Sequence, residues 1–560
     1  MAEVTHQGTS VWKSTTGSRW RWAVASYVCA RWEPVFALPV LALFVAMALI
    51  LPSTNIDIFN SPDESSNYLF VKAMAEEGHP WYTPDYVHMD GENLLHPRGA
   101  LTHEGRVVPF NYLGVPVLYG LLYVVIGDGL RYLGVVLAAV IVWSLYRSSS
   151  LLFGAKAWEA GVIALSVVPF IYYLNRPYMN ATPAITMTLL GTWFFARYLR
   201  RSNTVDLIVA SGVAAFACLF RYEYVLFVSP LALWALYFKH RTLLSKAYVR
   251  DVAIFGGGMF VVFVLPVMAL NQWVYGDWST YGYALFNDVY FPDRSAAEGA
   301  SYFESGVTKL RSILLPSYPF SASEVAGNLP RLTLWFMPVL TVLGAIGVFK
   351  YLGERRFSWR LLVPIVALSL YMLLYRGSGE TWNATGTEAA LNTAVIRYWL
   401  LFYCLLAFAA VYGLRRVTEA PVKIAIVLGL LLSGPIYVYT LAEGSLKYER
   451  EVMHASKRWS ETVLVPNTEE NAVIFASRND KRLVPYRDTA TWWNGEEFYN
   501  SEKLAASMSR LANSGRPVYL YREREVDLPE LRKELAERHY SATEVGDTGL
   551  YRIARVTARR

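Results

Sequence analysis

The chain has 560 residues, of which 54% are hydrophobic and only 17% charged, with 18 Trp, 38 Tyr and 27 Phe. A soluble domain carries about 25% charged residues, so this composition excludes an ordinary soluble enzyme and fits a polytopic α-helical membrane protein with many interfacial aromatics. The formal charge of +7 is dispersed in short basic clusters between apolar runs, which is topology information and not a nucleic-acid-binding surface.

Residues 1–34 are polar and read as a cytoplasmic tail, without the small-residue cleavage site of a signal peptide. Six basic clusters follow the positive-inside pattern: Lys13/Arg19/Arg21/Arg31, Arg147/Lys156, Arg197/Arg200/Arg201, Lys239/Arg241/Lys246/Arg250, Lys350/Arg355/Arg356/Arg360 and Arg415/Arg416/Lys423. Consecutive clusters must then be separated by an even number of crossings. Three apolar stretches lie between the first two, near 35–52, 107–126 and 129–146, so one of them does not cross. Val107–Gly127 contains Pro109, Gly114, Pro116 and Gly120, and these breakers suit an interfacial or re-entrant segment. Residues 53–128 then form one external loop.

The remaining spans are expected at 158–174, 182–198, 206–220, 223–239, 251–273, 331–350, 360–375, 394–414 and 422–443. With 35–52 and 129–146 the total is about eleven, with 206–239 readable as one broken hairpin. The N-terminus is expected inside and the C-terminus outside, and 274–330 and 376–393 form further external loops. The three cysteines, Cys29, Cys218 and Cys404, lie in or beside apolar stretches without metal-ligand spacing.

From about residue 444 the chain becomes charged. Asn471–Ala476, Arg516–Arg522 and Gly549–Val556 read as short strands, and the stretch beginning at Asp527 reads as a helix with Asp527 as N-cap and Glu530 completing a capping box. Three regions are therefore expected: the tail 1–34, a transmembrane region 35–443 and a small extracytoplasmic α/β domain 444–560.

Polar side chains concentrate in loop 53–128, and a long structured loop of that kind is usually functional. Its sharpest feature is the adjacent pair Asp63 and Glu64 in "NSPDESSNYLF". Ser61 or Asp63 can simply cap the following helix, whose dipole favours acidic residues. Alternatively Asp63 is a general base just outside the bilayer. Asp85, His88, Asp90, Glu92 and His96 offer either a weak divalent-cation site or a solvated loop, and their spacing fits no strict template.

An early "PDE–Y", then "HPRG" and "P–YLG–P" in a long external loop, resembles the GT-C membrane glycosyltransferases, among them protein O-mannosyltransferases and the lipid A aminoarabinose transferase. "GDGLRYLGVVLAAVIVWSLYR", "SVVPFIYYLNRPYMNATPAITMTLLGTWFFARYLRR", "NQWVYGDWSTYGY" and "AVIRYWLLFYCLLAFAAVYGL" are similar to later segments of that family, in the same order, over residues 35–443. The resemblance implies that Asp63 is the catalytic base or orients the acceptor, with Glu64 beside it. It also implies a polyprenyl-phosphate-sugar donor whose phosphate is held by arginines at external span ends. Arg397 ranks first and Arg221 second, followed by Arg176 and Arg376. The second external loop, "LNRPYMNATP", has Asn180 and Thr182 but no carboxylate, which weakens the case for a bridging metal. "TATWWNGEEF" (Thr489–Phe498) is similar to an oligosaccharyltransferase Trp-Trp motif, but Asn494 stands in place of the Asp.

The expected activity is transfer of a sugar from a polyprenyl-phosphate donor to a hydroxyl of a protein, glycan or lipid acceptor at the outer face of a prokaryotic plasma membrane. The alternatives are en bloc oligosaccharide transfer and transport of a lipid-linked sugar.

Overall fold

The computed structural model describes residues 58–89, 93–242, 245–290, 322–354, 394–441, 445–476, 479–491, 500–522 and 528–556. The expected spans 35–52 and 360–375, and with them Arg376, lie outside the described residues, as do Asp90, Glu92 and the Trp-Trp stretch 492–499.

The described residues are mostly helical. Gly114–Phe153, Lys246–Tyr275 and Ala420–Thr440 are each long and apolar enough to cross a membrane. Two bent pairs bring the number to as many as five if each is one broken span: Ala157–Ser166 with Val168–Leu174, bent by 78°, and Ala326–Trp335 with Pro338–Glu354, bent by 103°. The first bend falls where Val167 adopts an extended conformation as N-cap of the next helix, with Pro169 in that helix's first turn, where its missing N–H leaves no intrahelical bond unmade.

The segment 107–127 leads from the external loop into the next expected span. Its first residues form a strand, and Gly114–Ile126 then runs through a 3₁₀ turn at Gly127–Tyr132 into Leu133–Phe153. The combined 40 residues extend about 60 Å at 1.5 Å per residue, twice a hydrocarbon core of about 30 Å. Gly127 (φ 53°, ψ −136°) breaks the backbone between the two helices, and the first of them packs on helix Pro62–Glu77, where a Cβ at Gly120 would meet Met74 at 2.4 Å. The expected break within 206–239 is present: Thr204–Phe220 and Val225–His240 meet at Arg221, which is extended (φ −150°, ψ 99°).

Among the described residues, basic side chains of these clusters share one end of the helices. Lys423 Nζ lies 2.8 Å from Glu159, Arg416 pairs with Glu354, and Arg200 Nη1 donates to the Leu151 carbonyl at 3.0 Å. Helix Leu400–Arg416 carries Arg415 and Arg416 at that end, while Arg397 lies beyond its other end. Arg221 likewise closes a helix whose first turn, at Asp206, pairs with Arg197. Arg397 and Arg221 therefore sit at the helix ends opposite these basic side chains.

Loop 58–113 is built on helix Pro62–Glu77 and an antiparallel hairpin, β1 (Ala100–His103) and β2 (Arg106–Pro109), in register Leu101↔Val108. Gly99 precedes the hairpin with φ +87°, and a Cβ there would meet Ser66 Oγ at 2.4 Å and the Pro62 carbonyl at 3.0 Å. The "HPRG" stretch thus presses its backbone onto the first turn of the Pro62–Glu77 helix, which only glycine permits.

Residues 445–556 hold a five-stranded sheet of order β4-β3-β5-β7-β6, with β3 (Val473–Phe475), β4 (Asp488–Ala490), β5 (Val518–Tyr521), β6 (Tyr540–Glu544) and β7 (Leu550–Arg555). β3 runs parallel to β4 and β5, and β7 is antiparallel to β5 and β6. Alternation sends Val473 and Phe475 to one face, against helices Ser501–Asn513 and Leu528–Glu537, and Ile474 to the other. Tyr86 and Leu95 of the preceding loop pack into the first of these cores. Thr491 N donates to the His96 carbonyl at 3.0 Å, and buried Asp480 accepts from Arg98 N and Nε at 2.8 Å each. The sheet unit and the loop therefore share one packed and hydrogen-bonded contact.

Candidate active site

Ser61 takes the N-cap backbone conformation of helix Pro62–Glu77, with Pro62 in its first turn, but its side chain makes no capping hydrogen bond. Asp63 and Glu64 do not cap the helix either. Successive residues on a helix point about 100° apart, and the two carboxylates diverge to different arginines.

Asp63 faces a narrow cleft lined by Asn111, Tyr112, Met179, Asn180, Ala181, Arg221, Tyr283, Arg397 and Tyr398. Its Oδ2 accepts from Arg397 Nη1, and its Oδ1 accepts from Asn111 Nδ2 at 3.3 Å. Asn111 Oδ1 in turn accepts from Tyr283 at 2.8 Å, which fixes the amide. Burial pushes the Asp63 carboxyl up. The charge and hydrogen bond of Arg397, the Asn111 bond and the Arg221 charge outweigh it, so Asp63 titrates below the ordinary carboxylate range.

Arg221 is buried, pairs through Nε with Glu223 Oε1 at 2.8 Å, and donates from Nη1 to the Arg397 carbonyl at 3.5 Å. Tyr112 donates to the other Glu223 oxygen at 2.5 Å. Tyr398 lies between the two arginines, its ring centroid 5.1 Å from the Arg221 guanidinium carbon and 5.5 Å from that of Arg397. Arg397 Nε is buried without a hydrogen-bond partner. The cleft thus holds one carboxylate, two stacked guanidiniums and an unused charged donor. That set suits a phosphate beside a proton acceptor.

Glu64 points away from this cleft. It is buried, and its Oε2 lies 3.4 Å from Arg176 Nη1. Arg176 is also buried and pairs with Glu449, from helix Leu446–Trp459. Burial drives the Glu64 carboxyl up to about 7, against the opposing charge of Arg176, with Glu449 and Asp63 adding to the rise. The expected pair is therefore divided, and Arg176 does not line the cleft with Arg397 and Arg221.

The weak metal candidates do not assemble. Asp85 pairs with Arg516, which also holds Asp488 at 3.2 Å, and His88 is exposed. Among the described residues no group of three His, Cys, Asp or Glu side chains gathers into a ligand set. Asn111, Tyr112, Glu223, Tyr283 and Glu449 did not emerge from the sequence as site residues. The first two lie in the "P–YLG–P" stretch and Tyr283 in "NQWVYGDWSTYGY", so segments that carry the resemblance deliver side chains to one cleft.

A large apolar cavity of about 370 Å³ lies between helices Leu133–Phe153, Ala181–Arg201, Thr204–Phe220, Val225–His240 and Leu400–Arg416. Its lining includes Phe153, Phe195, Ala214, Leu401 and Phe408. Leu401 of this lining follows Arg397 by four residues in sequence, across the helix break at Trp399.

Residues 119–269 match the family model described as dolichyl-phosphate-mannose-protein mannosyltransferase. That stretch includes Arg176, Asn180 and Arg221. No curated protein matches the sequence. Among solved structures the chain is similar to the oligosaccharyltransferase of Archaeoglobus fulgidus tethered by a disulfide bond to an acceptor peptide containing the NVT sequon. The identity is 11% and the TM-score 0.48, over 94% of this chain and 75% of that one. It is also similar to the same enzyme in complex with Zn and sulfate, with 13% identity and a TM-score of 0.48, over 92% and 73% of the two chains. The family match thus covers residues 119–269, including helices that frame the cleft, in a chain whose described residues hold helices long and apolar enough to cross a membrane.

Proposed function

We propose that this chain transfers a sugar from a polyprenyl-phosphate donor to an acceptor hydroxyl at the cleft formed by Asp63, Arg221 and Arg397. The observation that carries this reading is the two-arginine cleft at Asp63, in a chain that also holds an apolar cavity whose lining includes Leu401, four residues beyond Arg397 in sequence. A lipid-linked phosphate has the same two parts: a charged head and a long hydrocarbon chain. The isoprenoid chain occupies the cavity lined by Leu401 and Phe408, and the phosphate meets Arg397 and Arg221.

The chemistry follows from the Asp63–Arg397 pair. Arg397 now holds the Asp63 carboxylate, which lowers its affinity for a proton. A donor phosphate competes for that guanidinium and uses its free Nε–H. Asp63 then becomes a better base when donor is bound. The acceptor oxygen attacks the anomeric carbon, the carbon–oxygen bond to phosphate breaks with its electron pair leaving on the phosphate, and the acceptor proton passes to Asp63. The anomeric centre inverts. Arg397 and Arg221 stabilise the charge that develops on the leaving phosphate.

The cleft lies at the helix ends opposite the basic clusters, which by the positive-inside rule is the outer face. The family match favours a mannosyl donor and a protein hydroxyl as acceptor. Mass spectrometry of surface glycoproteins and lipid-linked sugars in a strain lacking the chain tests this reading. It predicts loss of one glycan together with accumulation of its monosaccharide-charged lipid. An unchanged glycan profile would contradict it.

A further inference from the structure

Beyond the cleft, a buried charge cluster joins three distant parts of the chain. Glu449, on the helix that follows the apolar segment Ala420–Thr440, is buried and accepts from three groups. These are Tyr172 at 2.5 Å, Asn60 Nδ2 at 3.1 Å and Arg176 Nη2. Tyr172 also accepts from Arg176 Nη2 at 2.5 Å, and its ring lies 4.5 Å beneath the guanidinium carbon. The remaining arm of Arg176 faces Glu64 at 3.4 Å.

Both neighbours of Arg176 lead to the cleft. Glu64 adjoins Asp63 in the first turn of helix Pro62–Glu77, so whatever fixes Glu64 fixes the rotation that aims Asp63. On the other side the Arg176 carbonyl accepts from Met179 N at 3.1 Å and from Thr182 Oγ1 at 3.4 Å. This turn delivers Met179 and Asn180 to the cleft lining. Asn180 is itself tied to the helix by Asn67 Nδ2 at 3.2 Å. Asn60 Oδ1 accepts from Arg482 at 3.2 Å, and Met453, one turn beyond Glu449, packs on Ile58. The segment just before Asp63 is thus clamped by the helix bearing Glu449.

We propose that Glu449 is a positioning residue of the transfer site: with Tyr172 it locks the Arg176 guanidinium, and Arg176 sets the aim of Asp63 and the placement of Asn180. The proposal rests on the function given above. It makes catalysis depend on a residue contributed from beyond the helices that frame the cleft. A buried carboxylate with three donors is satisfied as an ion and strongly directional. Two carboxylates sharing one guanidinium leave the cluster with surplus negative charge. The charged and titratable groups around Glu64 are Asp63, Arg176, Tyr172, Glu449 and Lys481, with the Arg98–Asp480 pair behind Lys481. Removing the Glu449 charge leaves Arg176 to Glu64 alone, so Glu64 ionises at lower pH.

The test uses the full chain in liposomes, with polyprenyl-phosphate mannose and a Ser/Thr peptide, and compares wild type with E449Q, E449D, Y172F and the exposed control E461Q. In E449Q we expect kcat to fall about 10- to 100-fold, the size of a small misplacement of reacting groups. The donor KM and thermal midpoint should hold, and the acid limb of the kcat profile should move to lower pH. E449D should recover the wild-type limb. Infrared titration of the protonated-carboxyl band reads the linkage without turnover. It should show a group near neutral pH in wild type that E64Q lacks and E449Q moves to lower pH. Absence of transfer by wild type would overturn the proposed function, while the infrared titration would still judge the linkage. An E449Q protein with wild-type kcat and pH profile, or an infrared titration unchanged by E449Q, would overturn the positioning role. If E449Q loses its fold, Y172F, which deletes one hydroxyl, decides by the same kcat and infrared criteria.

Discussion

Arg397 and Asp63, 334 residues apart in sequence, close an ion pair across the cleft. The pair neutralises both groups while leaving Arg397 Nε unused. In the proposed reaction it is a resting contact that donor phosphate reorganises. Arg397 should therefore act both on donor binding and on the departure of the phosphate. Arg397→Lys keeps the charge but loses the planar fork, and loss of a charge-assisted hydrogen bond is worth about 1.5–3 kcal/mol, or about 10- to 150-fold. Donor KM should rise by that order in steady-state assays, and kcat should fall as well, because the same guanidinium stabilises the leaving phosphate.

The apolar cavity predicts a dependence on donor chain length. Leu401→Trp or Ala214→Phe fills space now lined by apolar side chains. Either change should raise KM for a long-chain polyprenyl-phosphate sugar and leave KM for a short-chain, water-dispersed analogue unchanged. Equal effects on both donors would remove the cavity from donor binding.

Glu64 predicts a pH dependence of stability. Its carboxyl is raised to about 7 from an ordinary 4.5, so between those values the folded chain binds more protons than the unfolded chain. Stability from this group is fully present below pH 4.5 and is lost as pH rises through 7. Glu64→Gln removes the titration. Thermal midpoints in detergent should show the wild type falling relative to this variant from pH 4.5 to 7.

Asp480 is fully buried and receives the Arg98 backbone and guanidinium. Asp480→Ala leaves that arginine without its carboxylate, and breaking a buried pair from one side costs about 3–5 kcal/mol. Limited proteolysis should then cut near residues 477–500 faster than in wild type. An unchanged cleavage rate would mean that this pair does not hold the sheet unit to loop 93–98.

Much of this arrangement was legible in the sequence because charge near a membrane is costly. Asp63, Arg221 and Arg397 stood out as ionisable groups at the edges of apolar runs, and they meet at one cleft. Asn111, Tyr112 and Tyr283 did not, since a neutral polar or aromatic side chain at such an edge is ordinary interfacial decoration. Glu449 was hidden for another reason. In "LKYEREVMHASKRW" it reads as one more charge on a solvated helix, and only tertiary packing buries it against Tyr172 and Arg176. Adjacency misled at Glu64, because neighbours in a helix face different directions. The breakers at Pro109 and Gly114 marked a real boundary. Gly114, however, is needed for close packing, since a Cβ there would meet the Leu219 carbonyl at 2.4 Å.

Asp63→Asn bears most directly on the central claim, measured as mannose transfer from a polyprenyl-phosphate donor to a hydroxyl-bearing peptide by purified protein in liposomes. Loss of a general base costs about 10²–10⁴-fold, and the account predicts a kcat loss of that order with donor binding and thermal midpoint retained. Transfer by the Asn variant at the wild-type rate would contradict it.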